Sequence, residues 1–460
     1  MTASAVLRGM LPEHLLLGGI VLLTCMAIAG IRRGATAVSV VTTVSAAVAA
    51  ILLAATGYFA TPFAGQFSVS PATFEAKAIV LALAAAVPAM AREEFPDGPF
   101  HILTLSSLYG VCVLVSSDSF LTLFLGLELM SLPVYALVLV AWRRPESAEA
   151  ALKYLVLGGA ATATLLMGAS LLFGWSATLD VGMFAAALAA QESVATVGVV
   201  LVIIAFFVKA AIVPFHTWAP DAYEAASVPV TAYMSTIVKA GALFAIVRLF
   251  GVAPIPRPIV GLLALLPLLS IVWGNLAAMR QPSLRRMIAY SSIAHAGYLF
   301  YALLGDGPGR FQAVAFYVLA YGVMNVLAFA ALPAADDDRA RDRLDGLKGL
   351  FSRRPFAAVM IAIAMLSLAG VPPFPGFVAK FLIFRNVMAA GYTLYAVLGL
   401  VGSYLGLYFY LRVIQYMFMS PSEPGAAPAG TGRIAFSTGV ACLVAAVAIG
   451  VFPGWFVSRL

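Results

Sequence analysis

The chain has 460 residues, of which 63% are hydrophobic and only 10% charged, whereas a water-soluble protein carries about a quarter charged residues. Its mean hydropathy of +1.01 spreads the apolar excess over the whole length, which excludes a soluble enzyme or a nucleic-acid reader and implies a protein of the bilayer. The net charge of +7 reads as basic cytoplasmic loops rather than as a surface for polyanions.

The opening segment, Met1 to Pro12, holds Arg8 and no small-residue cleavage site, so the apolar run after it is expected to be a retained helix, not a signal peptide. Cutting the sequence at its charged, Pro and Gly clusters gives about fourteen runs of span length. They lie roughly at 13–31, 37–60, 74–91, 99–116, 119–141, 149–174, 194–219, 229–251, 257–279, 284–304, 311–332, 355–390, 392–418 and 434–455. Being apolar on every side, with Gly and Ala scattered through them, they fit closely packed helices in lipid rather than a barrel of alternating strands. Cys25, Cys112 and Cys442 are far apart, and their spacing indicates neither a metal centre nor a disulfide framework.

Loops after odd-numbered runs carry Arg32, Arg33, Arg92, Arg143, Arg144, Arg280, Arg285, Arg286, Arg339, Arg341, Arg343, Lys348, Arg353, Arg354 and Arg433. Those after even-numbered runs carry little beyond Arg257 and Arg310. The positive-inside rule makes the odd loops cytoplasmic and puts both termini on the other side. The long polar stretch from Ala334 to Pro355, with Asp336, Asp337 and Asp338, reads as a solvated cytoplasmic connection without chemistry.

Two runs are interrupted alike. FFVKAAIVPFHTWAPDAY contains Lys209, Pro214 and Pro220, and GVPPFPGFVAKFLIF contains Pro372, Pro373, Pro375 and Lys380. Proline inside a span breaks the helix, and paired broken spans about five helices apart fit an internal repeat and an ion path at mid-membrane. Two independent proline kinks are the alternative.

The six lysines are Lys77, Lys153, Lys209, Lys239, Lys348 and Lys380, and the other 21 basic residues are arginines. Arginine dominates the loops, whereas Lys153, Lys209, Lys239 and Lys380 fall inside or at the mouth of apolar runs. Only lysine can release its proton in the working range, which marks these four as proton carriers. Lys153 could instead snorkel to the interface. Glu128, in FLGLELMSLPVYAL, is the clearest carboxylate within a run. Paired with Lys209 it would form an electrostatic switch, and alone it would be a packing counter-ion. His216 follows Lys209 by seven residues, about two helical turns on one face, and is expected to bridge protons. His295 sits among Tyr290, Ser291, Ser292 and Tyr298, a polar seam suited to relay. His14, His101 and Asp118 are expected to be packing or solvated end positions.

At these residues the sequence resembles the antiporter-like membrane subunits of respiratory complex I, NADH-quinone oxidoreductase, and within them the subunit N group. The resemblance spans roughly Phe100 to Met419 through GLELMSLPVYAL, EAALKYLVLGGAATA, VKAAIVPFHTWAPDAYEA, VTAYMSTIVKAGA, RMIAYSSIAHAGYLF and FVAKF, in that order. It implies an all-α polytopic membrane protein of about fourteen transmembrane helices with two inverted five-helix repeats and two broken helices. Helices 1–3 would fill residues 1–98, the repeats 99–251 and 252–419, and a loop with the last helix 420–460. It further implies a bacterial inner-membrane subunit of a hetero-oligomer that pumps protons while NADH reduces quinone, with no cofactor in this chain. FMN and iron-sulfur clusters would belong to other subunits.

The implied route runs from Lys153 to Lys209 tuned by Glu128, through His216 to Lys239, past His295 and out from Lys380. Related larger subunits differ by a C-terminal lateral helix, lacking in a chain ending at Leu460, or by a glutamate where Lys380 stands. Two positions depart from the family pattern: Gly-Ala-Pro reads Ala225, Ala226, Ser227, and Thr-Ala reads Phe374, Pro375. Alternative identities are a subunit of a multi-subunit cation/proton antiporter or of a membrane-bound hydrogenase, and a stand-alone solute carrier.

Overall fold

The computed structural model describes residues 3–140, 145–190, 192–305, 307, 309–332, 343–421 and 433–460. Its helices are α1 (Ala3–Gly9), α2 (Leu11–Ile28), α3 (Ala35–Ala55), α4 (Pro71–Ala84), α5 (Ala86–Ala91), α6 (Gly98–Val115), α7 (Phe120–Val140), α8 (Pro145–Ser176), α9 (Met183–Ala190), α10 (Ser193–Ala210) and α11 (Trp218–Ala225). Then follow α12 (Val228–Tyr233), a π-helical turn (Met234–Val238), α13 (Lys239–Phe250), α14 (Arg257–Ala278), α15 (Leu284–Tyr301), α16 (Gly309–Ala330), α17 (Leu350–Arg353), α18 (Pro355–Ala369), α19 (Pro375–Ala389), α20 (Thr393–Met419), α21 (Arg433–Val451) and α22 (Pro453–Val457). A hairpin of β1 (Ala60–Phe63) and β2 (Phe67–Val69) joins α3 to α4, pairing Ala60 with Val69 and Phe63 with Phe67.

Among the described residues 13 helical stretches are long and apolar enough to cross a membrane. A helix meets its backbone hydrogen bonds within itself, which is what an apolar run in lipid requires. The run expected at 355–390 is two shorter helices, α18 and α19, separated by residues 370–374. Likewise the run at 194–219 ends as a regular helix at Ala210 and resumes only as α11. Both expected breaks are therefore present. Each contains a cis X-Pro bond, Val213-Pro214 and Pro372-Pro373.

The spans Val228–Phe250, Leu284–Leu304 and Gly309–Ala330 are enclosed by protein almost throughout, whereas Leu11–Ile28, Ala35–Ala55 and Ile434–Val451 turn most of their surface outward. Helices pack at backbone distance where glycine allows it. A Cβ on Gly126 of α7 would lie 2.7 Å from the Leu114 nitrogen of α6, too close to tolerate without a shift, so glycine there permits the approach.

Several loop expectations are corrected. Arg310 is not a loop residue in water but is fully buried at the start of α16. Its guanidinium donates to the carbonyls of Gly305 (3.0 Å), Gly251 (2.8 Å) and Ala253 (3.1 Å). Arg285 is equally buried and donates to the Ala226 carbonyl at 2.6 Å. Asp118 is not a solvated end: its Oδ1 accepts from Arg248 at 2.6 Å. The described end of the 334–355 connection is docked, with Leu344, Leu347 and Leu350 buried and Gly349 N donating to Tyr416 O at 3.0 Å. Asp336, Asp337, Asp338, Arg143, Arg144, Arg339 and Arg341 lie outside the described residues.

Replacing Arg310 by Met keeps the stem and removes the donors. Each buried carbonyl left short of a partner costs about 1–3 kcal/mol. Arg310→Met is therefore expected to lower the melting temperature and the amount of assembled protein, measured by thermal melting in detergent and by native gel.

Candidate functional site

The sequence-expected residues occupy consecutive neighbourhoods of the bundle. Lys153 of α8 sits at one mouth, 46% exposed, bound to Glu149 Oε1 at 2.7 Å and to Asp221 Oδ2 at 2.8 Å. Arg286 of α15 also grips Asp221 (3.1 Å) and Glu224 (2.8 Å). Tyr154 stacks on Trp218 with ring centroids 4.2 Å apart. These contacts strap α11, the segment after the first break, to α8 and α15 around a cavity of about 400 Å³. Asp221, Glu224 and Arg286 were missed as site residues because they read as ordinary loop charges.

Deeper in, Lys209 at the end of α10 is buried. Its Nζ lies 3.7 Å from Glu128 Oε1 of α7 and donates to Ser131 Oγ (3.1 Å) and Tyr135 Oη (3.2 Å). Thr162 of α8 donates to Glu128. Glu128 and Lys209 are thus brought together as expected, at a separation longer than a hydrogen bond, with each held by hydroxyls. The break after Ala210 begins at Ala211 in the left-handed region. Its freed backbone groups are met by side chains: Val213 N donates to Ser270 Oγ (2.8 Å), and Trp218 Nε1 donates to Val208 O (3.0 Å).

His216 does not continue a helical face from Lys209, because the helix has ended by then. It lies half-buried in the break, and its Nε2 accepts from Trp273 Nε1 at 3.0 Å. Trp273 itself is 52% exposed. The structure therefore directs His216 toward the outer flank of α14 and gives it no hydrogen bond to either lysine.

Lys239, directly after the π-helical turn, is buried, and its Nζ donates to the Ser292 carbonyl of α15 at 2.6 Å and to the Ser292 hydroxyl. One residue earlier on α15, Ser291 shares a hydrogen bond with Tyr410 of α20. The Tyr410 hydroxyl is also 3.1 Å from His295 Nε2, while His295 Nδ1 is 2.7 Å from the Tyr317 hydroxyl of α16. The polar seam read around His295 is real, but two of its members, Tyr317 and Tyr410, come from other helices and could not be placed from sequence.

Lys380 of α19 donates to Ala369 O and Ser403 Oγ, both at 2.9 Å, and its Nζ lies 5.0 Å from the Tyr298 ring centre. Ala369 is the last residue before the second break. Gly370, with φ +86, turns the chain there, and a Cβ on it would come 3.0 Å from Lys380 Cδ, so a side chain would strain the backbone and crowd the lysine. Among the described residues no group of three or more His, Cys, Asp or Glu could hold a metal ion.

Residues 117–406 match the family NADH:quinone oxidoreductase/Mrp antiporter, transmembrane. NADH-quinone oxidoreductase subunit N of Pelobacter propionicus is 36% identical over 96% of this chain and 95% of its own. The chain belongs to the NADH-quinone oxidoreductase subunit N family. A chain of respiratory complex I from Thermus thermophilus superposes with a TM-score of 0.85 at 33% identity, covering 97% of this chain and 98% of that one. A chain of the Mrp complex from a Dietzia species shares the fold, with a TM-score of 0.84 at 22% identity over 98% and 96% of the two chains. The resemblance drawn from GLELMSLPVYAL to FVAKF is thus borne out, as is the helical membrane fold it implied. A subunit N protein is an integral inner-membrane part of a multi-subunit complex.

Asp221 is the hinge of the mouth. Burial pulls its carboxyl upward, and hydrogen bonds from Lys153 and Arg286 more than offset this, leaving it below the usual carboxylate range. A depressed folded value means its stabilisation is complete at neutral pH and is lost only as pH falls through that value. Half-exposed pairs are worth about 0.2–1 kcal/mol each. Asp221→Asn is therefore expected to speed backbone amide exchange in Trp218–Ala225 by about two- to fivefold at pH 7, with wild type and variant converging in strongly acidic buffer.

Proposed function

We propose that this proton-translocating subunit carries protons along Lys153, Lys209, Lys239, His295 and Lys380 while its partners pass electrons from NADH to quinone. The observation that carries the reading is the set of three buried lysines, Lys209, Lys239 and Lys380, each bound to a hydroxyl, with the Ser291–Tyr410–His295 chain beginning one residue from the Ser292 that holds Lys239. An ionised side chain at mid-membrane costs about 2.5–3.5 kcal/mol on the insertion scale. A lysine there can lose its proton and remain satisfied by neutral partners.

Glu128 is the only side-chain carboxylate in ion-pair range of Lys209 among the described residues. Its approach holds the ammonium, and its withdrawal leaves Lys209 with Ser131 and Tyr135, freeing the proton for the central lysine. Thr162, which hydrogen-bonds Glu128, positions the carboxylate for either state. His216 acts at the flank of this step, through the break that it occupies. The route runs from the arginine-rich cytoplasmic loops, with uptake at Lys153 and release from Lys380, and both termini lie on the far side. Residues 99–251 and 252–419 act as the two inverted repeats, each with one broken helix. Electron transfer, with its FMN and iron-sulfur clusters, belongs to other subunits, and this chain contributes translocase action without redox chemistry.

Three substitutions test the line. Glu128→Gln and Lys209→Ala are each expected to lower quinone reduction and coupled pumping while NADH oxidation by an artificial acceptor stays intact. Lys239→Arg keeps the charge but not the exchangeable proton, and is expected to assemble normally and pump about tenfold less or worse. Proton uptake by membrane vesicles, normalised to complex recovered on native gels, decides all three. Wild-type pumping by Lys239→Arg would make the central lysine a fixed charge.

A further inference from the structure

One intramembrane pair lies outside the line and outside the family-matched residues 117–406. Glu13, in the first turn of α2, and Lys77 of α4 meet at 2.6 Å with both side chains fully buried. Apart from each other, neither has a polar partner among the described residues. The Lys77 ammonium is otherwise faced by Phe67 and Phe74, with ring centres 5.1 and 5.2 Å away. An apolar pair of similar volume would hold two helices together as well or better, so packing does not explain two ionisable groups here. An intramembrane ionisable residue is by default functional.

The location links the pair to the central lysine. Arg248 Nη1 donates to Thr73 Oγ1 at 3.0 Å, setting the end of α13 level with the start of α4. Lys77 lies one turn inward from Thr73, and Lys239 lies about 13 Å inward from Arg248 along the same span. The helix α6, which carries the fully buried Cys112, packs against α2, α4 and α13 alike. The buried Tyr233 hydroxyl makes no hydrogen bond among the described residues. On the other side, a cavity of about 260 Å³ lies between α4 and α13, lined by Thr73, Ala76, Val115, Phe244, Arg248 and Phe311.

We propose that Glu13 and Lys77 form a second protonatable pair, a lateral proton-holding site on the N-terminal helices that exchanges with Lys239 past Cys112 and Tyr233. A proton passing from the Lys77 ammonium to the Glu13 carboxylate leaves an amine beside an acid with no change in net charge. The amine can then accept a further proton, and its loss restores the starting pair.

The proposal rests on the proton-translocating reading, and the test separates the two. Vesicles carrying the assembled complex are compared for wild type, the neutral double variant Glu13→Gln with Lys77→Met, the exchanged variant Glu13→Lys with Lys77→Glu, and Lys239→Arg. Both pair variants are expected to assemble. The neutral one should pump fewer protons per NADH by about twofold or more, and the exchanged one, which keeps a protonatable pair, should stay near wild type. Wild-type pumping by the neutral variant overturns the site, as does equal loss in both pair variants or failure of both to assemble, since each makes the pair structural. If Lys239→Arg also pumps normally, the line itself is at fault rather than the lateral pair.

Discussion

The hydrocarbon core of a bilayer offers no hydrogen bonds, so a backbone group released where a helix breaks cannot be left facing lipid and needs a partner within the protein. In this chain that constraint and the chemistry are the same feature. The break after α18 frees the Ala369 carbonyl, and Lys380 is its donor. The break after α10 frees backbone groups that Ser270 and Trp218 satisfy, and Lys209 stands one residue before its end. At the second break the two features meet directly, since the carbonyl freed at depth is one of the groups that hold the buried lysine.

Arginine and lysine divide the work along their chemistry. Arginines clamp backbone carbonyls: the buried Arg310 three of them, the buried Arg285 that of Ala226, and the half-buried Arg412 those of Met279 and Gln281. A permanently charged planar fork suits such fixed joints. The lysines of the line instead meet hydroxyls of Ser131, Tyr135, Ser292 and Ser403, partners that can donate as well as accept. A hydroxyl can serve the ammonium or the amine, so the lysine can change state without orphaning its neighbour. Lys239 and Lys380 each reach a carbonyl as well, so these two sites pair a fixed acceptor with a hydroxyl.

The break also explains why one sequence expectation failed. His216 follows Lys209 by two turns of an ideal helix, but the helix ends at Ala210 with Ala211 in the left-handed region, and the imidazole meets Trp273. Periodicity arguments hold only as far as the helix does. The same lesson applies to Arg310, Arg285 and Asp118: charges at run boundaries read as loop residues, yet the fold buries the two arginines and pairs Asp118 with Arg248.

The sequence alone determined what composition and short-range pattern encode. These are a bilayer protein, the helical spans and their two proline breaks, and the lysines, Glu128 and His295 as ionisable residues in apolar runs, because bilayer solvation acts on each segment separately. Tertiary structure alone decided which helices bring partners to those residues. Tyr317, Tyr410 and Ser403 reach the line from spans whose own sequences show nothing unusual, and Asp221 joins Lys153 across 68 positions. Lys77 was readable as a lysine inside the run expected at 74–91, but its burial against Glu13 depends on α2 packing beside α4. Partnership between distant residues is a property of helix packing, where glycines, breaks and crossing geometry act together, and no single stretch of sequence contains it.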